Sequence, residues 1–105
     1  MTTSSKYTLY IGLNDKDSKV QKIDTIEAYK IVENVCCTLS DGATIYQARG
    51  VYKHVDSTVI VENTLCAELF TDNVDTVKTI ATVLKQALNQ ESILIQKDVV
   101  ENLFL

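Results

Sequence analysis

The sequence predicts an α+β domain whose strands and helices follow one another in the order β-α-β-β-α-β. Residues 7–13 alternate between apolar and polar side chains, which is typical of a half-buried strand. Apolar residues recur at helical spacing over residues 24–39 and 72–88. Residues 43–54 and 58–70 are rich in β-formers and are separated by a short polar turn, which indicates a hairpin.

The faces of the first and third predicted strands follow from alternation. Odd-numbered residues are apolar in both strands and should face the core, because side chains alternate across a strand. The predicted inward residues are Tyr7, Leu9, Ile11, Leu13, Val59, Val61, Leu65, Ala67 and Leu69. The other face of the first strand carries Thr8, Tyr10 and Gly12.

Both helices have recognisable starts. Asp24 with Glu27, and Asp72 with Asp75, are spaced as capping boxes. The predicted inward stripes are Ile26, Tyr29, Val32, Cys36 and Leu39 in the first helix, and Val77, Ile80, Ala81, Leu84 and Leu88 in the second. A fourth strand is predicted over residues 92–96.

This order of elements resembles the ferredoxin-like fold, which implies an antiparallel sheet in the order 4-1-3-2 with both helices on one face. The opening YTLYIGLNDKD also resembles short uncharacterised proteins of Gram-positive bacteria, a likeness that implies no site. We expect one domain over residues 1–105, with a flexible segment at 1–6 and a tail at 98–105 that contributes to a dimer interface.

Composition excludes several classes of function. Ten basic and fourteen acidic residues give a net charge of −4, and no basic stripe is present, which argues against nucleic-acid binding. Neither a signal peptide nor an apolar run of membrane-spanning length is present, so we expect a cytoplasmic protein that does not contact membranes. The three cysteines match no zinc pattern, and the three glycines form no phosphate loop, so we expect no metal and no cofactor.

The acidic loop 14–22 is the one segment with carboxylates at calcium-loop spacing. Asp15 and Asp17 occupy the first and third positions of such a loop, but Val20 and Ile26 stand where glycine and glutamate are required. We therefore interpret the loop as a connection. His54, the single histidine, precedes Asp56 in a turn and is interpreted as an exposed turn residue.

The sheet face opposite the helices gathers the candidate functional residues. Tyr10, Glu62 and Glu68 belong to it through alternation, and Leu94 and Gln96 should join them from the fourth strand. The second strand is expected to add Gln47 and Arg49. The predicted ligand-binding residues are Tyr10, Gln47, Arg49, Glu62 and Glu68.

The favoured function is a small cytosolic binding or regulatory domain that forms a homodimer through this face and binds a small molecule or a protein. Apolar Ile60 and Leu94, with Ile45 and Val51, favour burial by a second copy. A solvated face remains open as an alternative. A small cofactor-free enzyme of the dimeric α+β-barrel type is another. In that enzyme Glu62 or Glu68 would be the base, Tyr10 a hydrogen-bond donor and Arg49 an anion clamp.

Overall fold

The computed structural model describes residues 1–105 and contains the six predicted elements in the predicted order. Their bounds are β1 (Thr2–Gly12), α1 (Thr25–Leu39), β2 (Thr44–Lys53), β3 (Val59–Phe70), α2 (Val74–Ala87) and β4 (Leu94–Asn102). Neither helix is long and apolar enough to span a membrane.

The four strands form one antiparallel sheet in the spatial order β2-β3-β1-β4. This is the predicted 4-1-3-2 order of the ferredoxin-like fold. The core lies between the sheet and the helices, where odd-numbered residues of β1 and Leu65, Ala67 and Leu69 of β3 meet apolar residues of α1 and α2. Val59 and Val61 were predicted to be core residues too, but they are 58% and 43% exposed and lie outside the core. The opposite face of the sheet carries the even-numbered residues, and we call it the open face.

The register of the β2–β3 hairpin corrects the predicted face of β2. Tyr46 pairs with Cys66, Ala48 with Thr64, Gly50 with Glu62, and Tyr52 with Ile60. Directly paired residues point to the same side of an antiparallel sheet, so the even-numbered residues of β2 lie on the open face.

Four residues were therefore assigned to the wrong face. Gln47 and Arg49 pair with Leu65 and Asn63 and lie on the helix side, as do Ile45 and Val51. The connection 54–58 between the paired residues Lys53 and Val59 has an odd number of residues, so odd-numbered positions pair with odd-numbered positions. Leu94 and Gln96 of β4 do lie on the open face, opposite Tyr10 and Thr8.

Packing confirms the predicted stripe of α2 in full, because Val77, Ile80, Ala81, Leu84 and Leu88 are all buried. In α1 the buried residues are Ala28, Val32 and Cys36, whereas Ile26 is 66% and Leu39 39% exposed. Ile26 was wrongly placed inside. At about 100° per residue it lies roughly 200° around the helix from Ala28. Burial raises the pKa of Cys36 to about 11.

The helix starts differ from the predicted capping boxes. Asp24 stands at the N-cap of α1, but its side chain makes no capping hydrogen bond. The N-cap of α2 is Asn73, whose Oδ1 accepts from the backbone N–H groups of Asp75 and Thr76. Asp72 instead accepts a hydrogen bond from the backbone N–H of Ser5, 3.0 Å away, and so joins the start of the helix to β1.

The two ends of the chain form regular structure together. Residues 2–6, expected to be flexible, belong to β1, and residues 98–102 of the expected tail belong to β4. Thr2 pairs with Asn102, and Asn102 Nδ2 donates to Ser4 Oγ at 2.6 Å. Each segment supplies the other's backbone partners, a long-range effect that neither segment reveals alone. Residues 103–105 lie beyond the strand.

Candidate functional site

A cavity of about 660 Å³ lies at the end of the open face where β1 ends. This volume is within the range of small-molecule sites. Three connections surround it: the β1–α1 loop, the β2–β3 turn and the α2–β4 connection. The open-face residues that line it are Tyr10, Gly12, Ala48, Gly50, Tyr52, Ile60, Glu62, Thr64 and Leu94.

Glu62 is the partly buried carboxylate of this cavity. Its Oε2 accepts a hydrogen bond from the backbone N–H of Asn14, 2.9 Å away. The carboxyl group lies directly over Gly12, where an added Cβ would come within 2.5 Å of it. Gly12 therefore provides the space that the Glu62 carboxylate occupies. Oε1 makes no hydrogen bond within the chain and can accept one from a ligand.

The loop that supplies the Asn14 N–H is held by Asp15, which is buried. Asp15 Oδ2 accepts from the backbone N–H groups of Asp17 and Ser18, and Oδ1 accepts from Asn89 Nδ2 at 2.8 Å. The hydrogen bond from Asn89 is the largest cause that lowers the pKa of Asp15 to about 2. Both oxygens of the Asp15 carboxylate therefore accept hydrogen bonds from within the chain and hold the loop in place.

Residues after α2 complete this attachment. Gln90 is buried and donates from Nε2 to the carbonyl of Asn14, 2.9 Å away, while the N–H of Lys16 donates to the carbonyl of Asn89. The segment 14–16 is therefore fixed to the end of α2 and is a structural connection. No group of three or more His, Cys, Asp or Glu side chains lies close enough together to hold a metal ion.

Tyrosines border the cavity at opposite corners. Tyr10 stands on β1, beside Leu94 of β4. Tyr52 folds back along β2, so that a Cβ added at Gly50 would lie 2.8 Å from its Oη. The two tyrosine rings lie at opposite corners, with small residues between them. The cavity therefore has an apolar floor with a carboxylate at one side.

Glu68 belongs to a second cluster. Its carboxylate lies 3.7 Å from Lys6 Nζ and accepts from Tyr46 Oη at 3.3 Å. The pKa of Tyr46 is raised to about 12, first by desolvation and then by Glu68, and burial raises the pKa of the neighbouring Cys66 thiol. Glu68 is six residues from Glu62 along β3, roughly 20 Å, so the two predicted carboxylates do not share a site.

The structure brings together two of the predicted ligand-binding residues, Tyr10 and Glu62, and separates Glu68 from them. Gln47 lies on the helix side, and Arg49 borders the cavity at the edge of β2 although its side chain belongs to that same side. Gly12 and Tyr52 were missed. The sequence could have predicted that β2 lines the cavity with Ala48, Gly50 and Tyr52. The five-residue connection of the hairpin places the even-numbered residues of β2 on the same face as those of β3.

His54 also borders the cavity, but Asp56 does not orient it. Asp56 Oδ1 accepts from the backbone N–H of Thr58 at 2.9 Å, and this hydrogen bond is the largest cause of its lowered pKa. The backbone N–H of His54 donates to the carbonyl of Thr58. This His–Asp pair therefore closes a turn, as the sequence predicted, and forms no catalytic dyad.

A family model described as "Protein of unknown function (DUF3574)" matches residues 6–104. The chain belongs to the DUF3574 family. No curated protein matches this DUF3574 chain. Membership assigns no activity, as expected of a likeness to uncharacterised proteins, whereas the likeness to proteins of Gram-positive bacteria stays a prediction.

Two similar solved structures are phage enzymes. One is described as a phage SAM lyase in the apo state, with a TM-score of 0.72 and 17% identity over 92% of the DUF3574 chain and 81% of the other. The second is a phage SAM lyase in complex with S-methyl-5′-thioadenosine, with a TM-score of 0.65 and 17% identity over 92% and 87%. At this identity the likeness establishes the shared fold, and a fold does not by itself assign a function.

Proposed function

We propose that this protein is a small cytosolic binding domain whose ligand occupies the cavity around Glu62. The observation that carries the proposal is the Glu62 carboxylate, which lines the cavity, is anchored through Oε2 by Asn14 and lies over a glycine, while Oε1 has no hydrogen bond within the chain. A carboxylate fixed on one side and available on the other is suited to recognising a hydroxyl or a cationic group. The attachment of residues 14–16 to α2 keeps it in place without a ligand, which lowers the cost of binding.

The domain acts as a homodimer in which a second copy covers the open face. Three large side chains of this face are at least half exposed: Tyr52 at 54%, Phe70 at 57% and Leu94 at 55%. They are distributed from one end of the face to the other, and apolar surface of this extent favours burial against a partner. The Lys6–Glu68 pair gives the face both signs of charge, which a twofold copy can match. The second copy would also wall the open side of the cavity.

A cofactor-free enzyme is the second candidate. The observation that favours it is the similarity in fold to a phage SAM lyase, together with a sheet-face carboxylate that can act as a base or stabilise positive charge. In this interpretation Glu62 has the catalytic role and Tyr10 is the hydrogen-bond donor. Glu68 is excluded from that role by its distance and by its own partners.

A fragment screen tests the binding proposal without assuming a ligand. Backbone amide shifts of the 15N-labelled protein are recorded with a library of amines, acids, sugars and heteroaromatic compounds. Hits should perturb Gly12, Asn14 and Glu62, and their effects should vanish in Glu62→Gln. Hits that map elsewhere, or none at all, would contradict the proposal.

Sedimentation tests the dimer. The wild type should sediment as a dimer at micromolar concentration, and Ile60→Lys should shift it to monomer because residue 60 lies on the open face. Val51→Lys is the matched control, since Val51 is 63% exposed on the other side of the same hairpin. A monomeric wild type, or dissociation by the control substitution alone, contradicts an open-face interface.

An assay for turnover of SAM distinguishes the enzyme proposal from the binding-domain proposal. Incubation with SAM and chromatographic detection of S-methyl-5′-thioadenosine would support the enzyme only if product formation is lost in Glu62→Gln. Binding at Glu62 without product from SAM leaves the binding domain as the function and excludes this reaction.

A further inference from the structure

Small residues form much of the floor of the cavity. Gly12, Thr64 and Ala48 form one cross-strand row over β1, β3 and β2, and Gly50 stands in the next row opposite Glu62. The Glu62 carboxyl lies over Gly12 and the Tyr52 ring over Gly50, so the floor between these two side chains consists of Ala48 and Thr64. Because Ala48 carries only a methyl group, a planar group can lie over it, between the Tyr52 ring and the Glu62 carboxyl.

Aromatic side chains stand at the borders of this floor. Tyr52 leans over Gly50, with its Oη and Cε2 2.8 and 2.9 Å from the position of an added Cβ. Tyr10 stands at the opposite corner, beside Leu94. Planar heteroaromatic rings stack on tyrosine, and this preference is shared by every nucleobase because each has a π-face.

The single partly buried charge at the floor is negative. Glu62 Oε1 can accept a hydrogen bond from a hydroxyl, or face a cationic centre, whereas it repels a phosphate. Four basic residues, Lys16, Lys19, Arg49 and His54, and the acidic Glu91 also border the cavity, but all five are exposed, so salt screens their interactions with a charged ligand. The charge arrangement thus favours a neutral or cationic arm on the ligand.

We infer that the ligand of this cavity is nucleoside-like: a planar heteroaromatic ring, joined to an arm that carries hydroxyls or a positive charge and no phosphate. This inference rests on the proposed binding function and specifies its ligand class. The ring lies on the Ala48–Thr64 floor against Tyr52, and the arm reaches Glu62.

Calorimetric titration with defined probes tests the inference. The probes are adenosine, S-methyl-5′-thioadenosine, AMP and methyl ribofuranoside, which lacks the base. Adenosine and S-methyl-5′-thioadenosine should bind the wild type, AMP should bind at least about tenfold more weakly, and the ring-free sugar should not bind. Equal binding of AMP, binding of the sugar alone, or binding of no probe would overturn the ligand class.

Variants on one strand locate the ring. Ala48→Leu fills the floor and should weaken adenosine at least about tenfold. Thr44→Leu adds a leucine on the same face of β2, outside the cavity, and should leave affinity unchanged. Tyr52→Phe should retain binding and Tyr52→Leu should lose most of it. Unchanged affinity in Ala48→Leu would overturn the placement.

Failure of the nucleoside-like ligand class and failure of the proposed binding function give different results. If screen hits map to Glu62 but are saturated amines or acids that ignore Ala48→Leu, the binding function stands and the nucleoside-like class is wrong. If no compound of any class perturbs the Glu62 region, the proposed function itself fails.

Discussion

At the scale of single residues, the Gly12–Glu62 contact shows how a glycine serves a neighbouring side chain. The carboxyl of Glu62 fills the volume that a Cβ at position 12 would take. The occupying group is the end of a flexible side chain, which can move away. A substitution at Gly12 therefore changes the position of the carboxylate more than it changes the fold.

Gly12→Ala should separate these two effects. The free energy of unfolding should change by less than about 1 kcal/mol, because the lost Asn14–Glu62 hydrogen bond offsets the gain from replacing a strand glycine. The Asn14 amide should exchange with solvent faster. In a Glu62→Ala background the same substitution should be stabilising, and urea unfolding of the four proteins gives the coupling energy. A large loss of stability in both backgrounds would mean that Gly12 is required by the backbone.

Asp15 should contribute to acid sensitivity. Its pKa is lowered to about 2 in the folded protein, so its stabilising contribution is present above the unfolded pKa and is lost as pH falls from about 4 toward 2. The melting temperature of the wild type should exceed that of Asp15→Asn at pH 7, and the difference should shrink over that acidic range. A difference independent of pH would argue against an ionised Asp15 as the cause.

At the scale of elements, local sequence patterns predicted which helices and strands form. Contacts with distant parts of the chain decide which face of each element is buried. The alternation of β1 and the helical stripe of α2 needed no other part of the chain, and both are confirmed. The face of β2 depends on the parity of a turn, and the buried face of α1 depends on how the helix is rotated against the core, which buries Ala28, Val32 and Cys36. Neither is a property of the segment itself, and this is why Arg49 and Ile26 were misplaced.

The candidate site was predictable to the same degree. Tyr10 and Glu62 follow from strand alternation, which is a local signal. The positions of Asn14, Asn89 and Gln90 depend on contacts between residues more than seventy positions apart, such as Gln90 Nε2 with the Asn14 carbonyl. Sequence spacing carries no information on such contacts.

The two helix starts provide a matched experiment. Asn73→Ala removes two capping hydrogen bonds from α2 and should destabilise the protein by about 1 kcal/mol. Asp24→Ala occupies the same position in α1 but removes no capping bond, so its effect should be smaller. Urea unfolding of both variants decides the matter. A larger loss for Asp24→Ala would show that its carboxylate acts through charge near the helix N-terminus.

At the scale of the whole molecule, the first and last strands of the chain, β1 and β4, are neighbours in the sheet and pair from Thr2–Asn102 to Tyr10–Leu94. Deleting residues 1–5 should lower the melting temperature by several degrees, because it leaves the end of β4 without partners and removes the Ser5–Asp72 hydrogen bond. Deleting residues 103–105, which lie beyond β4, should have little effect on the monomer. Equal effects of the two deletions would mean that the outer pairs of the β1–β4 ladder contribute no stability.

The same pairing has a practical consequence for labelling and redesign. Thr2 and Asn102 are neighbours in the ladder, so the ends of the chain emerge side by side at the end of the sheet opposite the cavity. A short glycine-rich linker can join them, and the chain can be reopened between Asp41 and Gly42, where nothing lies within 4 Å of an added Cβ at Gly42. Such a circular permutant, or a fluorescent protein fused at either end, keeps its attachment point away from Glu62. Ligand binding can then be followed by an optical signal while the residues of the cavity stay unchanged.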